Sequence, residues 1–341
     1  MSRAIRAALA AAALLSCAFF VPGSAPARGA EAAFFPGVVF DYGGKYDKSF
    51  NEGVLTGIER FHRETGINYK ALEISNDVQR EQYLRRLAEH GADIILAVGF
   101  SQAPAVAKVA KEFPEIKFTL IDGVVKLPNV QSILFSEQEG SYLVGMLAAL
   151  SSKTHTVGFV GGMDIPLIRR FECGYEQGVK AVAPDDHIIA NMVGTTPAAW
   201  SDPTRGGELA KSQFDRGVDV VFAAAGQSGI GVLQAAKDAG KYSIGVDSNQ
   251  NHLFPGSVLT SMVKRVDVAA YNAIKAAQDG TWQAGVRTLG LKEEGVGWAL
   301  DENNAKLVTP EMKAALDAAS AEIQNGTRKV ANYDETNGCK Y

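Results

Sequence analysis

Short β-branched runs alternate with amphipathic stretches along almost the whole chain, and this order restricts the fold more than any other feature. The first runs are GVVFD (37–41), YKALEI (69–74), DIILAVG (93–99), KFTLID (117–122) and VQSILF (130–135). Between the first two lies SFNEGVLTGIERFHRETG, in which Val54, Leu55, Ile58 and Phe61 make one apolar face. Ser49 and Glu52 have the spacing of a capping box, which predicts a helix start at Phe50. The alternation resumes after EGSYLVGMLAALSSKTH. Strands TVGFVGG, HIIANMVG, DVVFAAAG and YSIGVD are separated by helices near 164–183, 203–215 and 228–240. Continuous apolar strands joined by helices mean parallel sheets covered on both faces.

Two such blocks, 34–152 and 155–250, predict two doubly wound lobes. The later pieces are SVLTSMVKRVD, a helix at 266–280, GVGWAL and a helix at 310–325. They are too few for a third lobe. Residues of about 258–285 are expected to complete the first lobe and about 288–326 the second, with several crossings at a hinge. The tail, 330–341, is polar and expected to be loose. In open parallel sheets ligands bind beyond the carboxyl ends of the strands, which puts Asp41 and Phe50 on the ligand-bearing rim. There Phe50 either offers its face to a bound ring or packs the start of its helix.

The N-terminus has a basic start (Arg3, Arg6), an apolar run from Ala7 to Val21 and small residues from Ala25 to Ala32. This is a secretory pattern, and the run is short for a membrane span. The expected leader is 1–27, cut after Ala27, with Ala32 a second option. Leu14-Leu15-Ser16-Cys17 would instead make Cys17 a lipid-bearing terminus, but bulky Phe19, Phe20 and Val21 make a poor tether. The mature chain is therefore expected to be free in the periplasm. Loss of Arg3 and Arg6 moves the formal charge from −4 to −6. With no basic run, that balance argues against nucleic acid or anionic membrane as partner. Cys173 and Cys339 survive removal of the leader and lack metal-ligand spacing. An exported chain meets an oxidising compartment, so either a bridge pinning the tail or two unpaired thiols, one of them buried, is open.

The glycine-rich turns VGFVGGMD and AAAGQSGIG fit neither of the common nucleotide-binding fingerprints. Ile230 stands where a nucleophile elbow needs its second glycine, and Ser228 reads as a helix cap. His62, His90, His155, His187 and His252 are scattered, with neither metal nor triad spacing. Catalysis is disfavoured, and no cofactor or metal is implied.

The ordered segments DYGGKYDKSFNEG, IDG (121–123), FSEQEGSYLVGMLAAL, VGFVGGMDIPLIRRFECGYEQGVKAV, WSDPTRG, VFAAAGQSGIGV, IGVDSNQ and VLTSMVKRVD resemble the BMP family. These are basic-membrane-protein-type substrate-binding proteins of ABC transporters, which include purine nucleoside receptors. The likeness runs from about 36 to 326. It implies a type I periplasmic-binding-protein fold, two Rossmann-like lobes joined by three crossover segments, with a nucleoside in the cleft. By the same resemblance Phe50 stacks on one face of a purine and Trp200, where the family usually has phenylalanine, covers the other. Asp41 and Asp122 resemble groups that bond the base edge. Asp247 and Lys264 match those on the ribose hydroxyls, with the Gly226 turn close to the sugar. Asp41, Phe50, Asp122 and Lys264 are expected from one lobe, and Trp200, Gly226 and Asp247 from the other. The strand-end aspartates also suit helix capping, and Lys264 a solvated ion pair beside Arg265 and Asp267. The expected function is delivery of a nucleoside by a monomeric binding protein to an ABC permease. The alternatives are a binding protein for a free base, sugar or other small polar solute, or a nucleoside hydrolase.

Overall fold

The alternation expected from the sequence is present almost element for element in a computed structural model, which describes residues 34–336, 338 and 339. The leader, both cleavage positions and Cys17 lie outside the described residues. The chain opens with β1 (Pro36–Phe40), α1 (Phe50–Thr65), β2 (Lys70–Glu73), α2 (Val78–Glu89) and β3 (Ile94–Val98). α3 (Ala103–Glu112), β4 (Lys117–Ile121) and β5 (Val130–Phe135) follow. The pattern repeats through α4 (Glu137–Ser151), β6 (Thr156–Met163), α5 (Pro166–Val182), β7 (His187–Gly194) and α6 (Pro203–Phe214). It continues through β8 (Val220–Ala224), α7 (Gln227–Asp238), β9 (Tyr242–Asp247) and β10 (Val258–Lys264). α8 (Val266–Gln278), β11 (Gly285–Leu289), β12 (Val296–Trp298), α9 (Pro310–Gln324) and α10 (Tyr333–Thr336) complete it.

The strands form two six-stranded sheets, ordered β11-β5-β4-β3-β1-β2 and β12-β10-β9-β8-β6-β7. Neighbouring strands are parallel, except that β12 runs antiparallel to β10. β1, β3 and β8 are buried along their length, as apolar strands covered on both faces must be. β11, GVRTL, carries no apolar pattern and lies mostly exposed at a sheet edge, paired to β5.

The lobes divide differently from the expected allotment. α4 packs on α5, β8, β10 and β12, so it covers the second sheet. Its buried Leu143, Val144, Leu147 and Ala148 explain this, because that apolar stripe needs a sheet to cover. β10, expected in the first lobe, pairs in parallel with β9 of the second. α8 returns to the first lobe against α1, β3 and β4. Among the described residues the chain therefore crosses at Ser136, at Arg265 and over 290–295, giving a three-segment hinge. Ser136 N donates to Leu289 O at 3.0 Å and Arg265 N to Gly295 O at 2.8 Å, which ties the crossings together.

The tail is docked rather than loose. The Gln177 amide pairs both ways with Ala331, Nε2 to O at 2.9 Å and Oε1 from N at 2.8 Å. Arg170 Nη1 lies 2.8 Å from Asp334 Oδ2, and Cys173 is disulfide-bonded to Cys339 with Cα atoms 4.7 Å apart. Among the described residues no helix is long and apolar enough to cross a membrane.

α4 and α5 touch backbone to backbone through glycines. A Cβ at Gly178 would come within 2.0 Å of Tyr142 O, and one at Gly145 within 2.1 Å of Tyr175 O. Gly178→Ala is expected to push the helices apart at a cost of about 2 kcal/mol. Thermal unfolding should show a melting midpoint several degrees lower with unchanged helix content. An unmoved midpoint would mean that the pair has room to spare.

Candidate ligand-binding site

The loop from β1 to α1 shows why an aromatic can open that helix. The carboxylate of Asp47, two residues before the N-cap, accepts from the N–H groups of Ser49 at 2.9 Å, Asn51 at 3.0 Å and Glu52 at 3.0 Å. The expected Ser49–Glu52 box does not form. Glu52 Oε2 instead accepts from Lys48 N at 3.1 Å, and Ser49 Oγ donates to Asp247 Oδ2 of the other lobe at 2.5 Å. Asp47 satisfies the first-turn donors, so Ser49 is released to cross the gap and Phe50 faces the cleft. Lys48 O takes two further bonds from the second lobe, from Ser248 Oγ at 2.9 Å and Gln250 Nε2 at 2.8 Å. The lobes are closed on each other.

β4 and β9 hold the same place in the two strand orders, and each is followed or ended by an aspartate in the left-handed region. Asp122 has φ +65° and Asp247 φ +63°. Both are buried, both line the cleft, and neither caps a helix. Between them sits Lys264 at the end of β10. Its Nζ lies 2.6 Å from Asp122 Oδ2 and 3.0 Å from Glu137 Oε1, and it is not solvated, being 2 % exposed. The rings of Phe50, Phe135 and Phe171 surround the ammonium at 5.3, 5.0 and 5.6 Å. Arg170 Nε bonds Glu137 Oε2 at 2.8 Å behind it. Burial pushes the Asp122 and Asp247 carboxyls up to about 6, against the opposing pull of Lys264. Lys264 itself is raised by Asp122, Glu137 and Asp247, which outweigh its own burial. Asp122 Oδ1 has no hydrogen-bond partner among the described residues, and neither has Asn51 Oδ1.

Trp200 ends a short 3-10 turn, Pro197–Trp200, on the second lobe. Its indole lies against bare backbone: a Cβ at Gly162 would come within 2.2 Å of the ring, and one at Gly226 would lie 3.6 Å from it. Ser228 stitches this turn to α7 by donating to Ala199 O and accepting from Asp202 N, both at 2.7 Å. It is a tie, not a cap; Gly226 is the N-cap residue. Asp41, at the end of β1, is held by Arg80 Nη2 at 3.0 Å and by Ser101 Oγ.

All seven expected residues, Asp41, Phe50, Asp122, Trp200, Gly226, Asp247 and Lys264, line one cleft with about 650 Å³ of space between atoms, its mouth included. Lys264 reaches it from the second lobe, not the first, because β10 is a strand of the second sheet. Sequence reading missed Asn51, Phe171, Glu137, Arg170 and Arg80. Asn51 and Phe171 sit inside segments already singled out, and only their helical phase toward the cleft was unread. Glu137 and Arg170 carry no local signal, since their partners are distant in sequence; Arg80 has a local partner in Asp77, but its bond to Asp41 spans 39 positions.

The chain matches, over residues 35–330, the Bmp family, described as ABC transporter substrate-binding protein PnrA-like. This chain belongs to that family. An uncharacterized lipoprotein of Pyrococcus horikoshii is 36% identical over 278 residues, covering 77% of this chain and 68% of the relative. Basic membrane protein A1 of Borrelia garinii subsp. bavariensis is 32% identical over 324 residues, 92% of each chain. An ABC transporter solute-binding protein of Aeropyrum pernix K1 superposes with a TM-score of 0.81 at 30% identity, covering 88% of this chain and 93% of that one. The two-lobed architecture of this Bmp-family protein is thus the type I periplasmic-binding-protein fold, and the family is one of substrate-binding proteins rather than enzymes.

The raised carboxyls set a pH dependence. With folded values of about 6 and an ordinary value of 3.8, Asp122 and Asp247 hold protons in the folded chain that the unfolded chain has lost. Their contribution to stability therefore grows as pH falls from 7 toward 4, by about 1 kcal/mol each between pH 7 and 5.5. The ligand-free melting midpoint is expected to rise over that interval, and to rise less in Asp247→Asn. Equal rises in both proteins would place the titration elsewhere.

Proposed function

We propose that this Bmp-family protein captures a nucleoside between its lobes and delivers it, as a single chain, to an ABC importer. The observation that carries this reading is a slot with one aromatic from each lobe, Phe50 and Trp200, and buried acceptors waiting at its walls, Asp122 Oδ1 and Asn51 Oδ1. A purine has two faces to stack and an edge of N–H groups to donate. Stacking on aromatic side chains contributes about 1–3 kcal/mol per base. Asp41 and Asp122 serve the base edge, while Asp247 and Lys264 serve the ribose hydroxyls beside Gly226. Charge-assisted bonds of this kind are about twice as strong as neutral ones.

Charge narrows the ligand class further. Asp41, Asp47, Asp122 and Asp247 line the cleft, and the one ammonium lining it among the described residues, Lys264, is already paired with two carboxylates. A phosphate would meet like charge there, so the reading is an unphosphorylated nucleoside. Export to the periplasm follows from the leader pattern. The Pyrococcus relative's description as a lipoprotein gives the Cys17 anchor a second support, and the mass of the mature N-terminus decides between the two.

Three measurements test this. Inosine should bind saturably without release of hypoxanthine, whereas turnover would make the protein a hydrolase. Phe50→Ala should weaken inosine binding by about 1–3 kcal/mol in a calorimetric titration. Asp247→Ala should weaken binding of inosine far more than that of hypoxanthine, because only the nucleoside offers hydroxyls to that carboxylate. Equal losses for the two ligands would assign Asp247 to closure of the lobes and favour a free base.

A further inference from the structure

α5 works on two sides. Leu167, Ile168 and Phe171 line the cleft, while Arg170, Cys173 and Gln177 hold the C-terminal tail. The two sides are joined by charge. Asp334 pairs with Arg170 at 2.8 Å, Arg170 with Glu137 at 2.8 Å, and Glu137 with Lys264 at 3.0 Å, which reaches Asp122 at 2.6 Å. The series runs from the tail to the wall of the cleft.

The tail has little of its own to hold it there. α10 is four residues long and buries none of them. Val330 packs partly buried against the core, and a segment with so little apolar burial stays docked only if its loss of chain freedom is offset by other means. The disulfide does this. It closes a loop of 166 residues and keeps Ala331 and Asp334 beside Gln177 and Arg170 at a high local concentration.

We propose that the C-terminal tail is a positioning element of the cleft, and that breaking the Cys173–Cys339 bond weakens ligand binding by freeing α5 from Ala331 and Asp334. The proposal rests on the cleft being the ligand site. The bond is opened by a dithiol. One thiolate of the dithiol attacks the Cys339 sulfur, the more accessible of the two, and displaces Cys173 as a thiolate. The second dithiol sulfur then closes on the first, releasing Cys339. The dithiol leaves as a cyclic disulfide, and its two protons end on the two cysteines. The coupling is reciprocal: a ligand that binds the docked form better must protect the bond from reduction by the same factor.

The test compares the native protein, dithiothreitol-reduced protein and Cys339→Ser, each without ligand and with inosine. Hydrogen exchange of residues 166–173 should quicken in the reduced and Cys339→Ser proteins, while α6 and α7 on the far side of the sheet stay unchanged. Inosine affinity should fall about tenfold, and saturating inosine should protect the bond from dithiothreitol to a similar degree. Asp334→Asn, which keeps the disulfide, should show a smaller loss that Asp334→Glu restores. A general loosening of the protein would not be rescued in this way. Unchanged exchange of 166–173 would overturn the proposal, as would equal inosine affinities of the bridged and reduced proteins. If the native protein itself ignores inosine, the nucleoside reading fails, and the exchange measurement alone upholds or overturns the positioning role.

Discussion

The buried ammonium of Lys264 is the interaction on which the rest of the arrangement depends. Taking a lone cation out of water costs several kcal/mol, and removing one partner of a buried pair costs about 3–5 kcal/mol because a bare charge is left behind. Lys264 avoids this with Asp122 at 2.6 Å, Glu137 at 3.0 Å and three aromatic rings. Lys264 and Glu137 belong to the second lobe and Asp122 to the first. The ion cluster is therefore complete only with the lobes together, and closing is tied to the electrostatics of the cleft floor.

The duplicated architecture explains how carboxylates of both lobes meet there. Strand orders that match place by place bring β4 and β9 to equivalent positions, with their carboxyl ends facing one another across the cleft. Asp122 and Asp247 take the left-handed conformation that aspartate tolerates better than most residues. Each thereby leaves the strand direction and puts its carboxylate on the cleft wall instead of capping a helix. Across the same gap Ser49 meets Asp247, and Lys48 O meets Ser248 and Gln250. These short polar contacts are few enough to open again, which a protein that must release its ligand requires.

Local chemistry made much of this legible. The strand spans 130–135, 187–194 and 242–247 coincide with β5, β7 and β9, because continuous apolar runs bounded by turns have few other uses. The rim positions followed from the rule that parallel sheets bind at their carboxyl ends, and the family's ordered segments led to the cleft residues. The failures have a common cause. Ser49 and Glu52 fit a capping box, yet Asp47, unread in that role, takes the same N–H groups. β11 has no apolar pattern, lies mostly exposed and exists through pairing with β5.

The amino-acid order alone determined most of the strands and helices, β11 excepted, that the sheets are mainly parallel, and which strand ends form a rim, since each of these depends on neighbours within a few turns. The tertiary structure decided which lobe owns α4 and β10, that Arg170 and Glu137 stand behind Lys264, and that the tail is clasped to α5. Those outcomes depend on the desolvation of charges and the covering of apolar faces by residues well beyond local reach, 33 positions apart for Arg170 and Glu137 and 142 for Lys264 and Asp122. Periodicity and spacing carry no record of such distances.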